Sequence, residues 1–191
     1  MDLTELEDRV AITDVLMRYA RAVDRQDFDL ARTCYHPDAI DDHGRFRGGL
    51  DQLIEFFEKL GPTLRITTHQ MGTPLIELVG DTAWVETYCL YRRESHGAAL
   101  EDAVMQGLRF LDRFERREGF WKVAERQVVL DWEQSGGQAP NPPSGATWSR
   151  GAHGIDDPSV PFFAKAMLGE GSIDNDELTN RSSDGRNREE R

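Results

Sequence analysis

Four side chains in this sequence have the chemistry to move a proton or hold a developing charge: Asp24, His69, Tyr19 and Arg126. Histidine takes and returns a proton near neutral pH. It works best as a base when a carboxylate holds one ring nitrogen and turns the other outward. His69 lies in Thr67-Thr68-His69-Gln70-Met71, near the start of a strand-like stretch. Asp24 ends a helical stretch and continues the spacing of Met17 and Ala20, which aims it at whatever the helix packs on. A carboxylate in that place needs a partner. The alternatives are an exposed helix-end Asp that caps the next helix, and a half-buried strand His bonded to backbone.

Arg126 shares one strand face with Ala124, Val128 and Leu130. A guanidinium among apolar side chains calls for an anion, which could be Asp24, a substrate oxyanion or a departing group; a rim position paired with a surface acid is the other reading. Tyr19 precedes Asp24 by five residues, ~140° around an ideal helix, so the two would flank a cavity. Its phenol could donate to a substrate carbonyl or serve as a core aromatic. Trp84, Tyr88, Phe110 and Trp132 are candidate substrate-binding walls for a ring-shaped ligand, or ordinary core.

Other constellations carry less. His43 beside Asp41 and Asp42 resembles a metal cluster, but neighbours on a strand point to opposite faces. It reads as a solvated turn, and no metal site is assigned. His36, His96 and His153 lie near apparent loops and receive no role. The chain has no GxSxG, GxGxxG, Walker, HExxH or CxxC motif. Nucleophilic hydrolysis, dinucleotide binding and structural zinc lose support, which leaves acid/base work.

The totals narrow the partners. With 35 acidic against 23 basic residues, the net charge is −12. Nucleic acid and anionic membranes both require a basic surface. Cys34 and Cys89 are far apart and form no disulfide framework. The start, MDLTELEDRV, is no signal peptide, and no run approaches a membrane span. A cytoplasmic location is expected. An Asn180-Arg181-Ser182 sequon carries no weight without secretion.

The elements that must position these residues follow from periodicity. A helix is expected over 4–24, capped by Thr4 with Glu7, with Leu6, Val10, Met17 and Ala20 on one stripe and Ile12, Leu16, Tyr19 and Val23 widening it. A short helix after Asp27 ends at His36-Pro37. A short strand over 38–42 and a helix over 50–60, stopped by Gly61-Pro62, come next. The period then changes toward two, giving strands over 65–79, 82–94, 102–117 and 120–132, with a turn at Val79-Gly80-Asp81-Thr82 and another over 115–119. Three helices followed by a long-stranded meander read as α+β, with the helices on one face of a strongly curved sheet. Residues 1–133 form this unit. Residues 134–191 read as a Gly/Pro-rich arm, partly disordered or packed on a neighbouring subunit, with a short helix over 160–168.

Several short stretches occur together and in order: Tyr19-Ala20-Arg21-Ala22-Val23-Asp24-Arg25-Gln26-Asp27, Tyr35-His36-Pro37-Asp38-Ala39, Asp42-His43-Gly44, Thr68-His69-Gln70-Met71-Gly72, and Gly119-Phe120-Trp121-Lys122-Val123 through Asp131-Trp132. Over about residues 4–133 the chain resembles the SnoaL-like, scytalone dehydratase-like branch of the nuclear transport factor 2-like superfamily. The resemblance implies a cone-shaped barrel of curved antiparallel or mixed sheet. It also implies cofactor-independent elimination, as in scytalone dehydratase, hexachlorocyclohexane dehydrochlorinase and bile-acid 7α-dehydratase. An Asp on the first helix there orients a His on the sheet; Asp24 and His69 match these positions. Tyr19 is similar to a tyrosine of the bile-acid enzyme, and Arg126 to an arginine of the dehydrochlorinase. The second histidine of scytalone dehydratase has no clear counterpart.

The expectation is a lyase of dehydratase type, without cofactor, acting on a cyclic or aromatic hydrophobic molecule. His69 takes the proton, Asp24 orients it, Tyr19 polarises the carbonyl, and Arg126 stabilises negative charge. Isomerisation or retro-aldol cleavage by the same pair is the alternative. So is a non-catalytic role such as the small subunit of a ring-hydroxylating oxygenase, since the fold alone does not decide function. By the same resemblance the chain is expected to form a trimer or dimer.

Overall fold

The computed structural model describes residues 2–99, 102–135, 149–150 and 157–168. The sequon at 180–182, His153 and the expected disorder of the last twenty or so residues lie outside them.

Helix α1 spans Leu3–Asp24. Its N-cap is Asp2, whose carboxylate accepts the Glu5 N–H at 2.9 Å, so the expected Thr4–Glu7 box gives way to an equally strong cap two residues earlier. The buried stripe is Ile12, Leu16, Tyr19 and Val23, while Leu6, Val10 and Met17 are exposed. Two adjacent apolar stripes share the helical period. The one without a polar break faces the sheet; the other is interrupted at Thr13. Asp24 therefore lies on the flank of the buried stripe. Helix α2 (Phe28–Thr33) is capped by Asp27, and α3 (Leu50–Leu60) runs into a 3-10 turn at Gly61–Thr63.

Among the described residues, eight strands form one sheet: β1 (Tyr35–Asp42), β2 (Arg47–Gly49), β3 (Leu64–Met71), β4 (Leu75–Val79), β5 (Thr82–Ser95), β6 (Val104–Arg117), β7 (Phe120–Ser135) and β8 (Ser149–Arg150). The order is β2-β1-β7-β6-β5-β3, with β4 along the remaining edge of β5 and β8 against β7. β1 and β8 run parallel to β7, and every other pairing is antiparallel. The single strand expected over 65–79 is broken at Gly72-Thr73-Pro74, where proline cannot join the ladder. Met71 pairs Cys89 and Leu75 pairs Glu86, so the edge takes four steps against three on β5 and bends there. The β6–β7 hairpin turns at Glu118-Gly119, both with positive φ (53° and 82°), the geometry that matches strand twist. The long strands curl around α1–α3 as the α+β cone anticipated from the meander.

Strand parity decides which side chains see the interior. Across β5 and β6, Thr87 pairs Phe110, Cys89 pairs Leu108 and Tyr91 pairs Gln106; these face the helices. Trp84, Tyr88 and Leu90 face the other way. Helix α4 (Ser159–Leu168) packs outside, on β4 and β5, with Phe162 edge-on to Trp84 at 5.0 Å. Among the described residues, no helix is long and apolar enough to cross a membrane.

Candidate active site

The end of α1 meets the middle of β3 across the open end of the cone. The Asp24 carboxylate accepts from His69 Nδ1 at 2.7 Å and from the His69 backbone N–H at 2.8 Å. These bonds leave Nε2 as the ring nitrogen available to the cavity. Partial burial opposes ionisation of Asp24. The bonds from the His69 ring and backbone and from Thr67 outweigh it and hold the carboxyl below its ordinary value. Burial pushes the His69 pKa down, and the Asp24 bond and charge recover only part of that drop. The result is a neutral imidazole backed by a carboxylate, the resting form of a general base.

A second pair lies opposite, and the sequence reading missed it. Asp41 is buried on β1 and bonds His43 Nδ1, while His43 Nε2 is 3.4 Å from the Tyr19 hydroxyl. The two residues are separated by two positions, so they share a strand face and converge. Asp42 points away, to the Gly44 N–H. Treating the three as one cluster hid the i, i+2 pair inside it, and the solvated-turn reading is corrected. Tyr19 lies between the two histidines, its ring 6.3 Å from that of His69. Burial raises its pKa well above the usual phenol value, so it stays a proton donor.

Arg126 is central but buried behind these groups. It is fully inaccessible and makes a two-pronged pair with Asp112, Nε to Oδ1 at 2.6 Å and Nη2 to Oδ2 at 2.7 Å. It also donates to the Tyr35 hydroxyl at 2.9 Å, and that hydroxyl donates to Asp41 at 2.8 Å. Its guanidinium lies 4.1 Å from the Tyr19 ring centre and 4.5 Å from that of Phe110. The inward charge expected from the sequence is there, but its anion is Asp112, not Asp24 or a substrate. Arg126 supports the aromatic floor and, through Tyr35, the Asp41–His43 pair.

The cavity above this floor has a volume of about 200 Å³. Its walls are Val23, Phe28, Phe56, Phe57, Leu60, Leu64, Tyr91, Leu108 and Phe110, with Tyr19, His43 and His69 at the base. An apolar cavity of ~150 Å³ holds benzene, so this one suits a one- or two-ring molecule. Of the four expected wall aromatics, Phe110 lines it. Trp84 is 3% exposed but on the outer face under α4, and Tyr88 is outside and 61% exposed. Trp132 lies on the outer face over Gly107, where a Cβ would collide with its indole ring. These three were grouped by residue type without fixing strand parity. Tyr91, at odd spacing from them, is the β5 aromatic that faces inward, with its ring centre 4.7 Å from that of His69.

A strongly curved sheet closed over N-terminal helices defines a class of small α+β proteins, and comparison with known proteins agrees on that fold. The SnoaL-like domain pattern matches residues 4–127, and the chain belongs to that family. An uncharacterised protein of Mycobacterium tuberculosis is 25% identical over 130 residues, covering 66% of this chain and 87% of its own. A provisional scytalone dehydratase from Novosphingobium aromaticivorans superimposes with a TM-score of 0.66 at 20% identity, over 76% of this chain and 99% of the other. A type 2 hexachlorocyclohexane dehydrochlorinase gives a TM-score of 0.66 at 20% identity, over 75% and 99%. At these identities the two structures establish the shared cone.

Proposed function

We propose that this protein is a cofactor-independent lyase of dehydratase type that acts on a small cyclic ketone bearing a hydroxyl group. The observation that carries the proposal is the pairing of two carboxylate-held imidazoles, Asp24–His69 and Asp41–His43, on one apolar cavity. His69 Nε2 takes the proton α to the carbonyl. Asp24 accepts from Nδ1 and stabilises the imidazolium that forms. Tyr19 donates to the carbonyl oxygen, where negative charge develops. The electron pair of the broken C–H bond becomes the new C=C bond. The C–O pair leaves with the hydroxyl, which takes a proton from a protonated His43 and departs as water. Charge on His43 is one of the causes that lower the His69 pKa, which supports His69 as the base of the two, with His43 facing it across the ligand. The names carried by the two structural neighbours, a dehydratase and a dehydrochlorinase, support elimination.

The same two imidazoles would also serve isomerisation, with His69 removing one proton and a protonated His43 delivering its own proton to the carbon at the other end of the dienolate or enolate. Product analysis separates these outcomes: elimination releases water, and isomerisation releases nothing. The direct test follows α-proton exchange and enone absorbance with a panel of cyclic β-hydroxy ketones. Wild type should exchange and eliminate, and a folded His69→Ala variant should do neither. Full activity in that variant would refute the role of His69.

We also propose that the chain self-associates. Tyr88, Leu90, Met105 and Trp132 form an exposed apolar set on the outer face of the sheet, which supports a second copy there. Sedimentation equilibrium should give a multiple of the chain mass, and a clean monomer would count against it.

A further inference from the structure

The cavity mouth carries a charge pattern opposite to that of the chain. The protein has a net charge of −12, yet the residues around this cavity include Arg45 and Arg93 and no Asp or Glu. Arg93 is on β5 opposite Thr67, and Arg45 is in the turn between β1 and β2. Among the described residues, neither side chain has a carboxylate partner. The contrast with their surroundings is sharp. Arg92, next along β5, points to the outer face and pairs with Glu94, as does Arg65 on β3. Across β1 and β2, Arg47 pairs with Asp42. In a chain with an excess of carboxylates, two arginines left unpaired beside an apolar cavity leave room for an anion from outside.

We infer that the ligand of this cavity carries a carboxylate, held at the mouth by Arg45 and Arg93 while its one or two rings lie against Phe57, Tyr91 and Phe110. Guanidinium groups suit a carboxylate because their donors match its two oxygens. This end-to-end polarity also orients the ligand: the charged end stays at the mouth, and the far end meets His69, His43 and Tyr19. The inference rests on the reading of the cavity as a small-molecule site, and it adds the class of molecule.

The test needs binding alone. Calorimetry would compare 2-naphthoate with its neutral isostere 2-naphthamide, and benzoate with benzamide, at about pH 8, above the ordinary range of histidine and below that of arginine. Each carboxylate should bind wild type about ten- to a hundredfold more tightly than its amide. The double variant Arg45→Gln/Arg93→Gln, checked for fold by circular dichroism, should lose that preference while binding the amides as before. Equal binding of acid and amide by wild type, or a preference that survives in the double variant, would overturn the charge assignment and leave the cavity reading standing. Failure of all four compounds to bind would overturn both. His69→Ala should keep the preference, which separates recognition from catalysis.

Discussion

Asp24 grips His69 at two points, the ring Nδ1 and the backbone N–H, with the two carboxylate oxygens at 2.7 and 2.8 Å. Side chain and main chain of one residue are thus fixed by one group. The imidazole cannot swing away without breaking a charge-assisted bond, and β3 cannot shift along β5 without moving the base. The grip joins the end of α1 to the sheet at the point where chemistry would occur.

Removal of the base should be the cleanest loss. His69 is only 10% exposed at its side chain, but among the described residues that side chain makes no hydrogen bond beyond the one to Asp24, and its backbone bonds survive truncation. His69→Ala should fold and lose about 10²–10⁴-fold in kcat/KM. Circular dichroism and turnover on the same sample check this.

The pH dependence follows from the directions of the two shifts. His69 titrates below its ordinary 6.5, so the acid limb of kcat/KM should lie below that value. Asp24 holds the His69 pKa up, so Asp24→Asn should move the limb to still lower pH as well as lower the plateau. The stability consequence has a definite sign. A histidine with a depressed folded pKa contributes stability above 6.5 that is lost as pH falls through its folded value. Asp24, also depressed, contributes stability above 3.8 that is lost at still lower pH. Urea midpoints across this range should therefore fall in two steps, and the upper one should vanish in His69→Ala.

Arg126 separates structural from chemical roles. Both it and Asp112 are fully buried, so removing one partner strands the other charge. Arg126→Met should cost about 3–5 kcal/mol of stability, and Arg126→Met/Asp112→Leu should recover most of it. A stable single variant that had lost activity would instead return Arg126 to direct chemistry. Denaturant melts and activity on both variants distinguish the two outcomes.

Much of this arrangement was legible in the sequence, for physical reasons that also explain the gaps. The change of hydrophobic period after residue 64 marks helices passing into strands, and Gly61-Pro62 and Asp27 mark ends that the chain observes. Asp24 and His69 stood out because a polar group at an apolar spacing needs a partner. Periodicity alone could not say how wide a face of α1 is buried: it joined Leu6, Val10 and Met17, which are exposed, to Ile12, Leu16, Tyr19 and Val23, which are buried. Parity along β5 could have removed Trp84 and Tyr88 from the cavity once one inward residue was known. Alternation continued past the end of β1 would also have paired Asp41 with His43. Asp112, the partner of Arg126, left no local signal: the two meet only because β6 and β7 pair in that register.

The role of His43 can be tested against the nature of the leaving group. Hydroxide departs poorly without a proton, so elimination of water should depend on the Asp41–His43 pair, and His43→Gln should lose about 10²-fold or more in turnover. Halide needs no proton to leave. With a ring substrate in which chloride replaces the hydroxyl, His43→Gln should lose far less, because only the base is still required. His69→Ala should lose as much with chloride as with hydroxyl, since the C–H bond must break in both. Comparing the two variants on the two substrates therefore assigns acid and base separately. An equal loss in His43→Gln on both substrates would mean that His43 only shapes the cavity and holds Tyr19, and that the proton reaching the departing hydroxyl comes from elsewhere.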